Sequence, residues 1–298
     1  MTAPPAPPGP PVPPAPPVPR APGAPGDTVP RPGSAHVTLW LCPNDGLAPE
    51  TAQLLGEHWL DAQEQRTAGR FLFEHDRMHY LVAHTLVRRA LALEAGTAEA
   101  ELVIWRSVRG RPFLRPTTDQ PGSGGRTLDF NLSHAGGYNA LGIVHRARVG
   151  VDVERIEDRD EHAIATVLNA VTPEERAWAE RAGTPGERDR RALRVWVLKE
   201  AYAKARGLGL GIPFDSFVFT MDDERGVRAF TPPPDDTARA WRFVELEPVP
   251  GVLVGVAVPA EEGEEAEQVL HLNQGFPWSR SAPRRYVLPA PVGTQPAG

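Results

Sequence analysis

Val149-Gly150-Val151-Asp152-Val153-Glu154 alternates apolar and acidic side chains once Gly150 is passed. A strand sends successive side chains to opposite faces, so Val149, Val151 and Val153 belong to a core. Asp152 and Glu154 share the other face, about 7 Å apart along the strand. Two carboxylates held on one side suit a hard divalent cation such as magnesium, which prefers oxygen ligands and keeps several waters. A half-exposed strand with its acids turned to solvent carries the same pattern.

Upstream of this stretch, residues 36–41, 102–105, 128–132 and 140–144 read as strands. Residues 49–59 read as a short helix. A longer helix runs from about Asp61 to Ala95, strongest from Arg70. Phe71, Met78, Val82, Leu86 and Leu93 recur in it at helical spacing, and Gly96 ends it. Downstream the layout returns. Residues 161–170 read as a helix, and the capping box Thr172-Pro173-Glu174-Glu175 starts another. Residues 183–186 break it. A strong helix follows from about Glu187 to Arg206 and stops at Gly207. Strands are expected at 216–220, 227–230, 241–246 and 252–258. One helical stretch plus a few strands, given twice, is an α+β pattern with two similar α/β halves. The halves fall at residues 35–147 and 148–259. Residues 1–34 read as a disordered proline-rich arm, and residues 260–298 as an acidic, then Pro/Gly-rich tail.

The 298 residues carry a formal net charge of −6 with both signs interleaved, which argues against a general nucleic-acid binder. A local basic pocket for phosphate stays open. Cys42 is the only cysteine, so neither an internal disulfide nor a cysteine zinc cluster is expected, and its apolar surroundings make it a small core side chain. No run of about 20 apolar residues is present, nor an apolar leader core, so a soluble cytoplasmic protein with no membrane partner is expected.

Three further segments carry chemistry. In Trp196-Val197-Leu198-Lys199-Glu200-Ala201-Tyr202-Ala203-Lys204, Glu200 and Lys204 share a helix face, Trp196 precedes them by one turn, and Lys199 points elsewhere. The pair reads as a surface ion pair of about 0.3–0.5 kcal/mol, or as a third metal carboxylate with a cation that meets phosphate. In Asp129-Phe130-Asn131-Leu132-Ser133-His134-Ala135-Gly136-Gly137 a strand ends in a polar turn presenting Ser133 and His134. Hydroxyl, imidazole and free backbone N–H groups receive phosphate well, while the plainer reading is a turn whose polar groups cap one another. Adjacent Ser and His seldom reach each other as nucleophile and base, and no G-x-S-x-G elbow is present, so a hydrolase triad is set aside. Arg106, Arg109 and Arg111 lie in a Gly/Pro turn, either a phosphate clamp of guanidinium forks or a soluble loop.

In chain order the four segments read G-R-P, F-N-x-S-H, G-V-D-V-E and W-x-x-K-E-x-x-x-K. With these motifs the chain resembles the Sfp-type 4′-phosphopantetheinyl transferases over roughly residues 36–259. The resemblance implies a monomer of two related α+β halves with coenzyme A in the cleft between them. It implies transfer of phosphopantetheine from coenzyme A to a serine of an apo acyl or peptidyl carrier protein, giving holo carrier and adenosine 3′,5′-bisphosphate. Asp152 and Glu200 would be the principal Mg2+ ligands and Glu154 the third, directly or through water. Lys204 would meet the pyrophosphate, with Asp152 beside it on the coenzyme A side. Ser133 and His134 would hold the 3′-phosphate side. Arg111 would contact the coenzyme, with Arg106 and Arg109 as neighbours. Glu200, or a metal-bound water beside it, would take the serine proton. Thr67 stands where many members carry a basic residue, so Arg66, Arg70, Arg77 and His79 stay open as phosphate contacts. Fatty-acid, polyketide and nonribosomal-peptide carriers are all open. A non-catalytic coenzyme A or carrier-binding module, and a magnesium phosphohydrolase needing no carrier, are the alternatives.

Overall fold

The computed structural model describes residues 36–107, 110–115, 128–145, 147–208, 211–238, 240–260, 268–278 and 282–293. Arg109 and the proline-rich arm lie outside the described residues. β1 (His36–Pro43) sends Val37, Leu39 and Leu41 into one core and Trp40 and Cys42 into another, so the strand is buried on both faces. Proline near the first turn opens α1 (Pro49–Trp59). Asp61 caps α2 (Ala62–Ala68) by accepting the N–H groups of Gln63 and Glu64, and α3 (Glu74–Ala95) closes on left-handed Gly96. The single helix expected from Asp61 to Ala95 is therefore two. Gly69 terminates α2, its N–H returning to Gln65 O, and Phe71 lies in the connection rather than on a buried stripe, 40% exposed.

β2 (Ile104–Arg106) and β3 (Pro112–Leu114) pair as one hairpin. β4 (Leu128–Ala135) and β5 (Tyr138–His145) pair about Gly136-Gly137, both at positive φ. After β6 (Gly150–Arg155) come α4 (Glu161–Ala170), α5 (Pro173–Glu180) behind the Thr172 capping box, and α6 (Pro185–Arg206). The break expected at 183–186 is itself a start signal, since Thr184 and Glu187 form a second capping box. β7 (Val218–Asp222) and β8 (Gly226–Thr231) pair, as do β9 (Ala240–Val249) and β10 (Val252–Ala260).

The tail expected over 260–298 is corrected by the structure. β11 (Val269–Gln274) lies parallel to β1, from His36 opposite Val269 to Leu41 opposite Gln274. β12 (Arg284–Val287) pairs with β11, and β13 (Val292–Gly293) with β9. The apolar run at 269–272 is short, and its partner β1 stands at the other end of the described chain, so local pattern gives no sign of the pairing.

Besides the two-stranded sheets β2-β3 and β7-β8, the strands among the described residues form two large sheets, ordered β12-β11-β1-β5-β4 and β13-β9-β10-β6. A valine-rich core between them draws on β1, β5, β6, β10 and β11. α1 and α3 cover the outer face of the first sheet. α4–α6 cover the outer face of the second, around an aromatic cluster centred on Tyr202. The fold is α+β, as expected. Among the described residues no helix is long and apolar enough to cross a membrane.

Candidate active site at the junction of the two sheets

β4 ends the first sheet, β6 ends the second, and these two edges meet. α6 crosses β6 with no room for a side chain between them. A Cβ on Gly150 would stand 1.8 Å from Ala201 O, and one on Gly255 of β10 would stand 2.5 Å from Val197 O. Glycine at both places lets helix and sheet backbones touch. That approach brings the last turns of α6 over β6. Lys204 Nζ donates to Asp152 Oδ1 at 2.6 Å and to Ser133 Oγ at 2.9 Å, and lies 3.9 Å from Glu200 Oε2. Ser133 Oγ donates to Asp152 Oδ1 at 2.8 Å. Residues from β4, β6 and α6 thus meet at one ammonium.

Asp152 and Glu154 share a face of β6 away from the valine core and are 4% and 5% exposed, so neither is a solvated surface acid. Burial lifts the Asp152 carboxyl above the ordinary range, against the pull of Lys204 and Ser133. Burial lifts Glu154 as well, with the charge of Asp152 adding, although Arg159 clasps it through Nε at 3.0 Å and Nη2 at 2.5 Å. Glu200 rises through burial and the charges of Asp152 and Glu154, opposed by Lys204. Three crowded acids against Lys204 and Arg159 leave surplus negative charge in a poorly hydrated place.

Asp152 Oδ2 is buried without a hydrogen-bond partner. An orphaned carboxylate oxygen among oxygen-only donors fits a hard divalent cation. The acids are not a finished cage. Among the described residues no group of three or more His, Cys, Asp or Glu side chains is arranged to hold a metal ion. Lys204 takes one oxygen of Asp152, and Arg159 takes Glu154. Both oxygens of Glu154 accept from Arg159.

Several expected site residues stand elsewhere than the sequence suggested. Ser133 and His134 are not in a turn, because β4 continues to Ala135. They point to opposite faces, Ser133 buried against Asp152 and His134 exposed toward α3. Although part of the ring is open to solvent, the neighbours crowding the rest strip water from it, and this desolvation, with the charges of Lys204 and His84, holds the His134 imidazole below its usual range. Arg111 is not a free clamp. Its guanidinium donates to Asp129 Oδ2 at 2.6 Å, Val149 O at 2.9 Å and Phe130 O at 3.3 Å, and also to Lys204 O. Those bonds tie it into the junction of β4, β6 and α6. Arg106 is exposed and reaches Gly110 O. Lys199 does point away from Glu200, into a fully buried pair with Glu175 at 2.9 Å. The sequence reading missed Arg159, for which five residues of irregular spacing after Glu154 give no signal. It also missed Asp129 and Asn131, whose alternation with Ser133 on one strand face was there to be read.

Residues 148–257 match the 4′-phosphopantetheinyl transferase superfamily, and residues 48–144 match "4′-phosphopantetheinyl transferase, N-terminal". A phosphopantetheinyl transferase of Thraustochytrium sp. is 33% identical over 250 residues, covering 79% of this chain and 83% of the relative. The chain belongs to the 4′-phosphopantetheinyl transferase superfamily. As a member it is an enzyme, and 4′-phosphopantetheinyl transfer is its activity. An L-aminoadipate-semialdehyde dehydrogenase-phosphopantetheinyl transferase of Xenopus laevis is 25% identical, covering 70% of this transferase and 71% of its own length. A holo-(acyl-carrier-protein) synthase of Bacillus anthracis, solved in complex with CoA (3′,5′-ADP), covers 39% of this chain and 96% of its own at 20% identity. Its TM-score of 0.31 is too low to carry weight.

Proposed function

We propose that the site around Lys204 moves the phosphopantetheine arm of coenzyme A onto a serine of an apo carrier protein or carrier domain, releasing adenosine 3′,5′-bisphosphate. The observation that supports this reading is Lys204 Nζ, within 2.9 Å of Ser133, 2.6 Å of Asp152 and 3.9 Å of Glu200. A half-buried ammonium amid acids is suited to a pyrophosphate whose charge a divalent cation shares. Asp152, Glu200 and, once released by Arg159, Glu154 would hold Mg2+. Bound there, Mg2+ supplies Lewis-acid neutralisation of phosphate oxygens.

The chain's own residues do the rest. Ser133 Oγ and Lys204 Nζ bind and orient the phosphates, and His134 stands on the 3′-phosphate side. The serine Oγ of the carrier forms the new P–O bond as the bond to the departing bisphosphate breaks. Such transfers depend mainly on positioning and charge neutralisation. Glu200 is the proton acceptor for the serine hydroxyl, and its raised pKa suits that role. Lys204 stabilises charge on the leaving phosphate. Arg106 and Arg109 remain candidates for the coenzyme's adenosine end. The reading includes a cytoplasmic monomer without a nucleic-acid partner.

The test is intact-mass measurement of several apo carriers after incubation with the protein, coenzyme A and Mg2+. A gain of one phosphopantetheine on at least one carrier is expected. Coenzyme A binding with no gain on any carrier would point to a binding module, and release of bisphosphate without a carrier would point to a hydrolase.

A further inference from the structure

β6 is an edge strand, and the N–H groups of Val149, just before it, and of Val151 within it lie in buried residues with no strand beside them among the described residues to accept them. An unaccepted buried N–H is costly, so such groups find partners. Here the partners are side chains of β4. Asp129 Oδ2 accepts the Val149 N–H at 2.9 Å, and Asn131 Oδ1 accepts the Val151 N–H at 2.8 Å. One step on, Ser133 Oγ donates to Asp152. Asp129, Asn131 and Ser133 are each two apart, so one face of β4 presents them in line, and they meet 149, 151 and 152 in ascending order.

Arg111 closes the same row. It joins Asp129 and Val149 O, and through Lys204 O it reaches the last turn of α6. The two strands that carry Ser133 and Asp152 belong to different sheets with no backbone ladder between these edges. This row of side chains spans the two edges.

We infer that Asn131, supported by the Asp129–Arg111 pair, is a positioning residue for the transfer reaction: it fixes β6 against β4 so that Asp152 stands where Ser133, Lys204 and the cation meet. The inference rests on the proposed role of Asp152 and adds what sets its position. Asn131 is nearly buried and touches no reacting group. Its effect passes through the Val151 backbone, one residue before Asp152.

The test compares Asn131→Ala, Asn131→Asp and a core control, Val87→Ala on α3, in the full chain with coenzyme A and an apo carrier that the wild type modifies. Asn131→Ala is expected to raise the Mg2+ concentration for half-maximal transfer by about 10-fold or more, the scale seen for residues that orient metal ligands. Its kcat falls more than its KM for coenzyme A rises, and the Val151 amide exchanges faster with solvent. Asn131→Asp keeps an acceptor oxygen and restores most of the Mg2+ response. Val87→Ala lowers the melting temperature and leaves the Mg2+ response unchanged. Asn131→Ala with the wild-type Mg2+ response and kcat, and only a lower melting temperature, would reduce the bond to fold maintenance and overturn the inference. A wild type that modifies no carrier is a different outcome, since it would sink the transferase reading itself.

Discussion

Replacing Lys199 with methionine removes a cation that nothing in the interior replaces. Lys199 Nζ lies 2.9 Å from Glu175 and donates to Phe214 O at 2.5 Å and Phe217 O at 2.6 Å, with the Phe217 ring 4.1 Å away. Both charged side chains have no solvent exposure. Burial pushes the Lys199 ammonium down to about 8, and the charge of Glu175 is what keeps it from falling further. Methionine fills similar volume but leaves the Glu175 carboxylate in place. Stripping one partner from a buried pair costs about 3–5 kcal/mol. Glu175 keeps the N–H donors of Thr172 and Phe219, which argues for the lower end, about 3 kcal/mol. For a chain of this size that is a fall in melting temperature of about 6–12 °C. Calorimetry on the wild type, Lys199→Met, Glu175→Gln and the double variant measures it. The double variant is expected to recover most of the loss, since glutamine still accepts the two N–H groups without a charge. Lys199→Met melting with the wild type, or losing transfer at full stability, would refute this placement of the motif's first lysine in the core.

Three other outcomes follow from the same geometry. Gly150→Ala puts a methyl where only 1.8 Å separates it from Ala201 O, so α6 must lift from β6. Stability should drop by about 3 kcal/mol or more, with transfer lost, and an unchanged melt with full activity would contradict that close approach. Arg111→Met is expected to destabilise the fold more than it weakens coenzyme A binding in the folded fraction. A variant that melts like the wild type but binds the coenzyme poorly would return Arg111 to the ligand pocket. Burial alone would raise the Glu64 carboxyl, but its hydrogen bond to His84 and the charge of Arg88 outweigh that and hold it below the ordinary range. A lowered carboxyl contributes stability above its unfolded value and loses it as pH falls through the folded one. Glu64→Gln should therefore cost stability at neutral pH, with the difference from the wild type shrinking in urea unfolding at strongly acidic pH. A difference that does not change with pH would contradict the ion-pair account.

The central strand and helix were legible because each carries its own period. Alternation put Asp152 and Glu154 on one face, and the four-residue step put Glu200 beside Lys204. Burial was not legible. The same alternation also fits a solvated strand, and only α6 lying on Gly150 makes these acids interior. Lys199 pointed away from the Glu200 face as its helical position indicates, but its burial with Glu175 left no mark in the spacing, and neither did the bonds that engage Arg111 with Asp129 and backbone carbonyls. β11 was missed because a parallel pairing with β1 leaves no turn signal. Phe71 fitted the helical spacing of α3 but lies beyond the end of α2, where Gly69 stops the helix. Ser133 and His134 read as a turn because Gly136-Gly137 follows them, while the ladder with β5 carries the strand through to Ala135.

The convergence of two distant carboxylates on one cation is tested most directly by a crystal structure with coenzyme A and Mn2+ in place of Mg2+, read in anomalous difference maps. A single manganese peak shared by the carboxylates of Asp152 and Glu200 and a coenzyme phosphate is expected. A peak touching only one of the two side chains, or a bound coenzyme with no peak between them, would contradict the account.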